Sequence, residues 1–134
     1  MDSKDFFDRY AKFVDSVTSE TSQKDKLFAK RMEALSEKLA GNYARLDNAV
    51  AGLSGESGEI ADLWKKIKFH QLEFDEQMRD KLIKELGDVC WYLCLASNAL
   101  NISIEEIIEK NIEKLQARHP HGFSAAYLDR KKDD

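Results

Sequence analysis

Proline and glycine are scarce in this chain, with one Pro and six Gly among 134 residues. Because these residues punctuate strands and turns, their scarcity argues against a β-rich fold, and the abundance of Ala, Leu, Glu and Lys predicts an all-α protein. No uninterrupted apolar run of about 18 residues is present, so we expect no membrane partner. The first residues also lack the apolar core of a signal peptide, and we therefore expect a cytoplasmic protein.

The chain also has few cysteines and a small net charge. The two cysteines, Cys90 and Cys94, are four residues apart on a predicted helix, which differs from the two-residue gap of redox and zinc motifs. We interpret both as small buried side chains. A formal net charge of −4 gives no excess of basic residues, so we expect no nucleic acid partner.

What the chain does contain is apolar residues at helical spacing. This pattern predicts a four- to five-helix bundle, with one domain over residues 1–124 and a charged tail over 125–134. Asn101 is expected to end the fourth helix, and Ser103 to begin the fifth with the capping box "SIEE". The predicted helices are about 4–17, 24–39, 44–69, 77–100 and 104–119.

Four acids lie on faces that ought to be apolar. On a helical wheel of the third helix, Glu56 falls inside the apolar stripe, between Leu53 and Ile60, and Glu59 lies at its edge. On the fourth helix, Glu85 and Asp88 flank the stripe on one side. Ionised carboxylates that face a core need compensation from a cation or a metal.

Positively charged and neutral polar residues also lie on core-facing sides of the helices. Asn111 and Arg118 lie in the apolar stripe of the fifth helix, with Lys114 at its edge. Lys66 shares the edge of Glu59, and Tyr92 falls between Glu85 and Asp88 on the wheel. Clustered carboxylates with nearby cations favour a Mg²⁺ site, with Mn²⁺ as the alternative, although ion pairs between helices also fit the pattern.

Each of these residues also has an ordinary structural explanation. Lys66 and Lys114 are equally typical of surface lysines, and Tyr92 of a core tyrosine. The three histidines lie at helix ends or in irregular segments, so we assign them no catalytic role. No Glu-x-x-His pair is present, which favours an oxygen-only magnesium site over a di-iron centre.

Three segments together resemble a known family. They are "GLSGESGEIADLWKKIKF", "KELGDVCWYL" and "NISIEEIIEKNIEKLQARHPHGFS", and they look like the MazG-type all-α nucleoside triphosphate pyrophosphatases. The family motif is ExxE, a spacer and ExxD, which here correspond to Glu56–Glu59, 25 residues and Glu85–Asp88. The family often has another Glu before ExxE, where this chain has Gly55. The N-terminal "YAKFVDSVTSET" is similar to MazG-like proteins of bacteriophages.

The resemblance implies a Mg²⁺-dependent hydrolysis of nucleoside triphosphates between the α- and β-phosphates. Glu56, Glu59, Glu85 and Asp88 would then be the metal-binding and catalytic acids, with Glu59 or Glu56 positioning the attacking water. Lys66, Lys114 and Arg118 would neutralise phosphate charge. Asn111 and Tyr92 would position phosphate, sugar or water, and Asn48 would contribute to the base pocket with the first two helices.

The resemblance also implies a homodimer or a dimer of dimers, which agrees with the apolar character of the fourth helix on more than one side. The cellular role would be cleansing of the nucleotide pool, or supply of monophosphates in a phage-infected cell. Two alternatives stay open. One is a related hydrolase with another substrate, such as phosphoribosyl-ATP, and the other is a non-catalytic helical interaction module.

Glycines accompany the acids of the third helix. An interior Gly weakens a helix by about 1 kcal/mol relative to Ala, yet Gly52, Gly55 and Gly58 all lie close to Glu56 and Glu59. Gly52 and Gly55 share the edge that carries Glu59. We expect these two to allow close approach of a neighbouring helix or of a triphosphate, or to bend the helix.

Overall fold

A computed structural model describes residues 3–124, and within this range the chain is helical without strands. The all-α prediction is therefore confirmed. The proposed tail, residues 125–134, lies outside the described residues. The helices are α1 (Ser3–Val17), α2 (Glu20–Gln23), α3 (Asp25–Lys38), α4 (Tyr43–Phe69), α5 (Glu76–Leu100) and α6 (Ile104–Arg118).

The helix boundaries follow local chemistry. Asp75 begins α5, because its side chain accepts a hydrogen bond from the backbone N–H of Met78 at 2.9 Å. Asn101 ends α5 in the left-handed conformation, with φ of 55°. Ser103 begins α6 by accepting a hydrogen bond from the N–H of Glu106 at 3.1 Å. The predicted roles of Asn101 and Ser103 are confirmed.

One helix was missing from the sequence prediction. The predicted helices leave residues 18–23 outside any helix, but these residues contain the single turn α2. Ser19 caps this turn by accepting a hydrogen bond from the N–H of Ser22. A four-residue helix has no room for an apolar period, so hydrophobic spacing could not have indicated it.

The chain divides into two compact units, Met1–Ala44 and Arg45–Asp134. In the first unit, α2 packs against α3, and in the second α6 packs against α5. The assignment of residues 1–124 to one domain stays a prediction. Within the described residues, no helix is both long and apolar enough to cross a bilayer.

Few side chains are buried in a single copy of the chain. Among residues 3–124, the buried ones are Ala49, Leu63, Ser97 and Ala99. Leu86 and Leu100 belong to the apolar stripe that helical spacing defines on α5, yet they are 50% and 47% exposed. Helical spacing identifies which side chains share a face, whereas burial requires a neighbour that covers this face.

The interpretation of the cysteines as buried side chains is wrong, because Cys90 and Cys94 are both exposed on α5. Trp91, between them, is also exposed. The same reason applies: the sequence shows that this side of α5 is apolar, but not whether anything packs on it.

Candidate functional site

The second unit brings three of the four predicted acids together. Glu56 of α4 and Glu85 and Asp88 of α5 each offer a carboxylate oxygen, and these three oxygens lie within 4.8 Å of one another. Glu56 and Glu85 are half-buried, while Asp88 is exposed. We call these three residues the carboxylate trio. Glu59 is exposed and lies outside the trio.

Repulsion within this cluster is visible at Glu56. Partial burial raises the pKa of the Glu56 carboxyl, and the negative charges of Asp88, Glu85 and Glu59 raise it further. A bound divalent cation would remove this repulsion. Hard cations take carboxylate oxygens at about 2.0–2.6 Å, so a single ion could bridge oxygens at the spacing of the trio. The donor set therefore fits Mg²⁺ or Mn²⁺.

A cleft of about 200 Å³ adjoins the trio and shares Glu85 with it. Its apolar lining is Leu63, Leu72 and Met78. Its charged lining is Glu59, Asp62, Lys66, Lys81 and Glu85. The cleft thus brings two ammonium groups together with three carboxylates.

Lys66 is held by an ion pair on its own helix. Its Nζ lies 2.6 Å from Oδ2 of Asp62, and Nζ of Lys65 lies 3.0 Å from Oδ1 of the same residue. Hydrogen bonds from Lys66 and then Lys65 lower the pKa of Asp62 to about 2. Asp62 in turn raises the pKa of Lys66, and so does the charge of Glu59. Lys66 is therefore a full cation at neutral pH, oriented toward the side of α4 that carries Glu59.

Lys81 is the residue that the sequence prediction missed. It precedes Glu85 by one helical turn, so both residues lie on one face of α5 and both line the cleft. The relevant signal was present in the sequence as Lys-x-x-x-Glu. An i, i+4 pair of this kind is so common on solvated helix faces that it indicates nothing until the other wall of the cleft is known.

Tyr92 lies on the opposite side of the trio from the lysines. Its half-buried ring meets α4 at Gly52, and Gly52 precedes Glu56 by one turn just as Tyr92 follows Asp88 by one turn. From the Tyr92 ring to the lysine-bearing cleft, residue numbers increase along α4 and decrease along α5. The two helices run antiparallel, with the trio between an aromatic end and a lysine end.

The remaining predicted residues lie on α4 and α6. Asn48 is exposed, one turn before Gly52 and two turns before Glu56. Asn111, Lys114 and Arg118 share one side of α6, and of these only Arg118 is half-buried. Their roles in binding stay predictions.

Fold and site together define an all-α protein with a carboxylate cluster suited to a hard divalent cation, next to a lysine-bearing cleft. Comparison with known families gives a narrower result. Residues 45–123 match the MazG nucleotide pyrophosphohydrolase domain. The chain belongs to this family, and a pyrophosphohydrolase activity on nucleotides is what this membership supports.

A curated relative agrees with the family match. The chain is 38% identical to the Gene 37 protein of Mycobacterium phage L5 over 78 residues, which are 58% of this chain and 68% of the phage protein. The resemblance to the MazG-type proteins, including those of phages, is confirmed. No solved structure gave a significant match. The family match begins at residue 45, where the second compact unit also begins.

Proposed function

We propose that this protein hydrolyses nucleoside triphosphates, ribo- or deoxyribo-, between the α- and β-phosphates. Water adds to phosphorus, the bridging P–O bond breaks, and the products are a nucleoside monophosphate, pyrophosphate and a proton. The observation that carries this proposal is the convergence of Glu56, Glu85 and Asp88 beside a cleft that contains Lys66 and Lys81.

The carboxylate trio would hold the metal. Mg²⁺, or Mn²⁺ in its place, would supply positive charge that polarises phosphoryl oxygens and favours ionisation of a water molecule. Lys66 and Lys81 would bind the leaving pyrophosphate through charge-assisted hydrogen bonds, which are the stronger kind.

We assign the orientation of the attacking water to Glu59. It is the predicted acid that lies outside the trio, yet it lines the cleft, and its charge acts on both Glu56 and Lys66. A carboxylate that is not a metal ligand keeps its oxygens available to accept a proton. Asn48, Asn111, Lys114 and Arg118 would complete the binding of the nucleotide.

We further propose that the working form is a homodimer or homotetramer. Large apolar side chains on α5 and α6 are exposed, among them Ile83, Leu86, Trp91, Ile108 and Ile112. Exposed apolar surface of this extent on packed helices is typical of a subunit interface. Cytoplasmic nucleotide pools, of the host if the protein is phage-encoded, are the proposed setting.

The test is a panel of the eight common nucleoside triphosphates with identification of the products. We expect monophosphate and pyrophosphate in the presence of Mg²⁺, and neither product with EDTA. Asp88→Asn and Glu59→Gln should abolish nearly all turnover, whereas Asp47→Asn, on the exposed start of α4, should leave it unchanged. Release of orthophosphate alone, or of no product from any nucleotide, would overturn the proposal.

A further inference from the structure

Gly52 of α4 is in closer contact with another helix than any ordinary residue could be. A Cβ atom built on Gly52 would lie 2.1, 2.3 and 2.4 Å from Cε1, Cδ1 and Cζ of Tyr92. Carbon atoms pack at about 3.5–4.0 Å, so even alanine would force the Tyr92 ring to move by more than about 1 Å. The other helical glycines, Gly55, Gly58 and Gly87, have open space at the corresponding position, with nothing within 4 Å.

The Tyr92 ring also contacts Trp91, its neighbour in sequence. The two rings meet edge to face, with centroids 4.8 Å apart and planes at 89°. Because the Tyr92 side chain ends in a rigid ring that lies against the α4 backbone, it cannot bend away from a new methyl group as the end of a flexible side chain would. A substituent at Gly52 would have to change the rotamer of Tyr92 or separate the two helices.

This contact lies one helical turn from the carboxylate trio on both helices. Gly52 precedes Glu56 by four residues and Tyr92 follows Asp88 by four, so each is a neighbour of a trio member on its own helix. At about 1.5 Å per residue, the Cα atoms of Asp88 and Tyr92 are about 6 Å apart along the helix axis. The lysine-bearing cleft is on the far side of the trio.

We propose that Gly52 is a positioning residue that seats the Tyr92 ring at the nucleoside end of the site. This inference rests on the proposed function. Since Lys66 and Lys81 attract the β- and γ-phosphates to one side of the trio, the α-phosphate and sugar lie on the other side, against Tyr92. Gly52 acts through Tyr92 and touches no substrate itself.

The experiment compares Gly52→Ala with Gly58→Ala, a glycine on the same helix with open space at its Cβ. For Gly52→Ala we expect kcat/KM to fall by about 10- to 100-fold, since misplacement of a group by 1 Å has effects of this size. The loss should appear in KM and in weaker binding of an α,β-methylene nucleoside triphosphate. Gly58→Ala should retain wild-type values.

Two further measurements separate positioning from general disruption. The affinity of nucleotide-free protein for Mn²⁺ should be the same in Gly52→Ala as in wild type, because Tyr92 is not a member of the trio. In a Tyr92→Ala background, Gly52→Ala should have no further effect on kcat/KM, since the clash is gone. Wild-type kinetics for Gly52→Ala, additive effects in the double variant, or loss of Mn²⁺ affinity would each overturn the inference.

Failure of the proposed function would be recognised separately, as a wild-type protein without pyrophosphate release. The contact between Gly52 and Tyr92 can then still be tested by thermal unfolding, which needs no activity. Gly52→Ala should lower the Tm in the wild-type background and leave it unchanged or higher in the Tyr92→Ala background. Equal Tm changes in both backgrounds would show that Gly52 does not hold Tyr92.

Discussion

At Glu56, partial burial and three neighbouring negative charges act in the same direction. Both raise the pKa of its carboxyl, so the folded protein binds this proton more tightly than the unfolded chain does. The ionised form therefore opposes folding at neutral pH in the absence of metal. Its contribution to stability becomes more favourable as pH falls through the raised pKa. In the proposed function, a bound divalent cation would offset this cost.

Glu56→Gln should accordingly raise the Tm of the metal-free protein, because a neutral amide removes the repulsion from Asp88 and Glu85. We expect Mg²⁺ to raise the Tm of the wild type, since a metal stabilises only the state that binds it, and the same substitution should abolish this increase. Differential scanning calorimetry with EDTA and with Mg²⁺ measures both effects. A lower metal-free Tm, or an undiminished response to Mg²⁺, would contradict this account.

Lys81 and Lys84 offer a matched comparison on one helix. Lys81 lines the cleft, whereas Lys84 pairs with Asp80 at 2.6 Å on an exposed part of α5. Lys81→Ala should raise KM by about tenfold or more, because a hydrogen bond to a charged group contributes about 1.5–3 kcal/mol. Lys84→Ala should leave KM unchanged. Steady-state kinetics of pyrophosphate release measure KM for both variants. Equal effects of the two substitutions would show that Lys81 does not bind the substrate.

At the scale of the helices, caps and antiparallel packing determine where the site residues lie. Asp75 fixes the start of α5, and Asn101 and Ser103 fix the short turn between α5 and α6. This turn directs α6 back onto α5, as in an αα-hairpin. One side of α6 carries Asn111, Lys114 and Arg118. The direction in which this side faces therefore depends on the conformation of the turn.

Ser103→Ala should lower the free energy of unfolding by about 1 kcal/mol, the usual cost of losing an N-cap. Ser103 accepts a hydrogen bond from the Glu106 N–H, which would lose its partner at the start of α6. Urea denaturation gives the value. Ser54→Ala is the control, since Ser54 is an exposed position inside α4 and Ala favours helix there. A Ser103→Ala protein as stable as wild type would show that this cap is dispensable.

At the scale of the whole molecule, many large apolar side chains are exposed in a single copy. Among the described residues, no large side chain is fully buried, and Ile83 and Trp91 of α5 are 48% and 58% exposed. A small core contributes little apolar burial against the conformational entropy of ordering the helices. The proposed association of copies would bury the second apolar face of these helices.

Ile83→Asp should shift the proposed oligomer toward the monomer and lower its Tm, because a charge would enter the interface. Size-exclusion chromatography with light scattering measures the mass, and the Tm of wild type should rise with protein concentration. Gln77→Asp, at an exposed position near the start of the same helix, is the control for charge alone. A wild-type monomer at every concentration would refute the assembly.

The sequence by itself determined the helices, their caps and the face on which each acid lies. Helical periodicity and capping act over three or four residues, so Ser103, Asn101 and the Glu56 register could be identified without a structure. Family membership could also be predicted, because ExxE, the spacer and ExxD form a motif that can be read directly from the chain. Burial was harder to predict, as the exposed Cys90 and Leu86 show. Whether a side chain is buried depends on neighbouring helices, and a helical wheel represents one helix alone.

Only the tertiary structure decided which residues meet. Rotation and offset of α4 against α5 bring Glu56 to Glu85 and Asp88, leave Glu59 toward the cleft, and add Lys81 to its wall. The same offset separates Gly52 from Gly55, which share one edge of α4 on the helical wheel: Gly52 receives the Tyr92 ring, whereas Gly55, like Gly58, faces open space. The physical reason is that an interhelical contact depends on both helices at once, and no local pattern specifies the pairing.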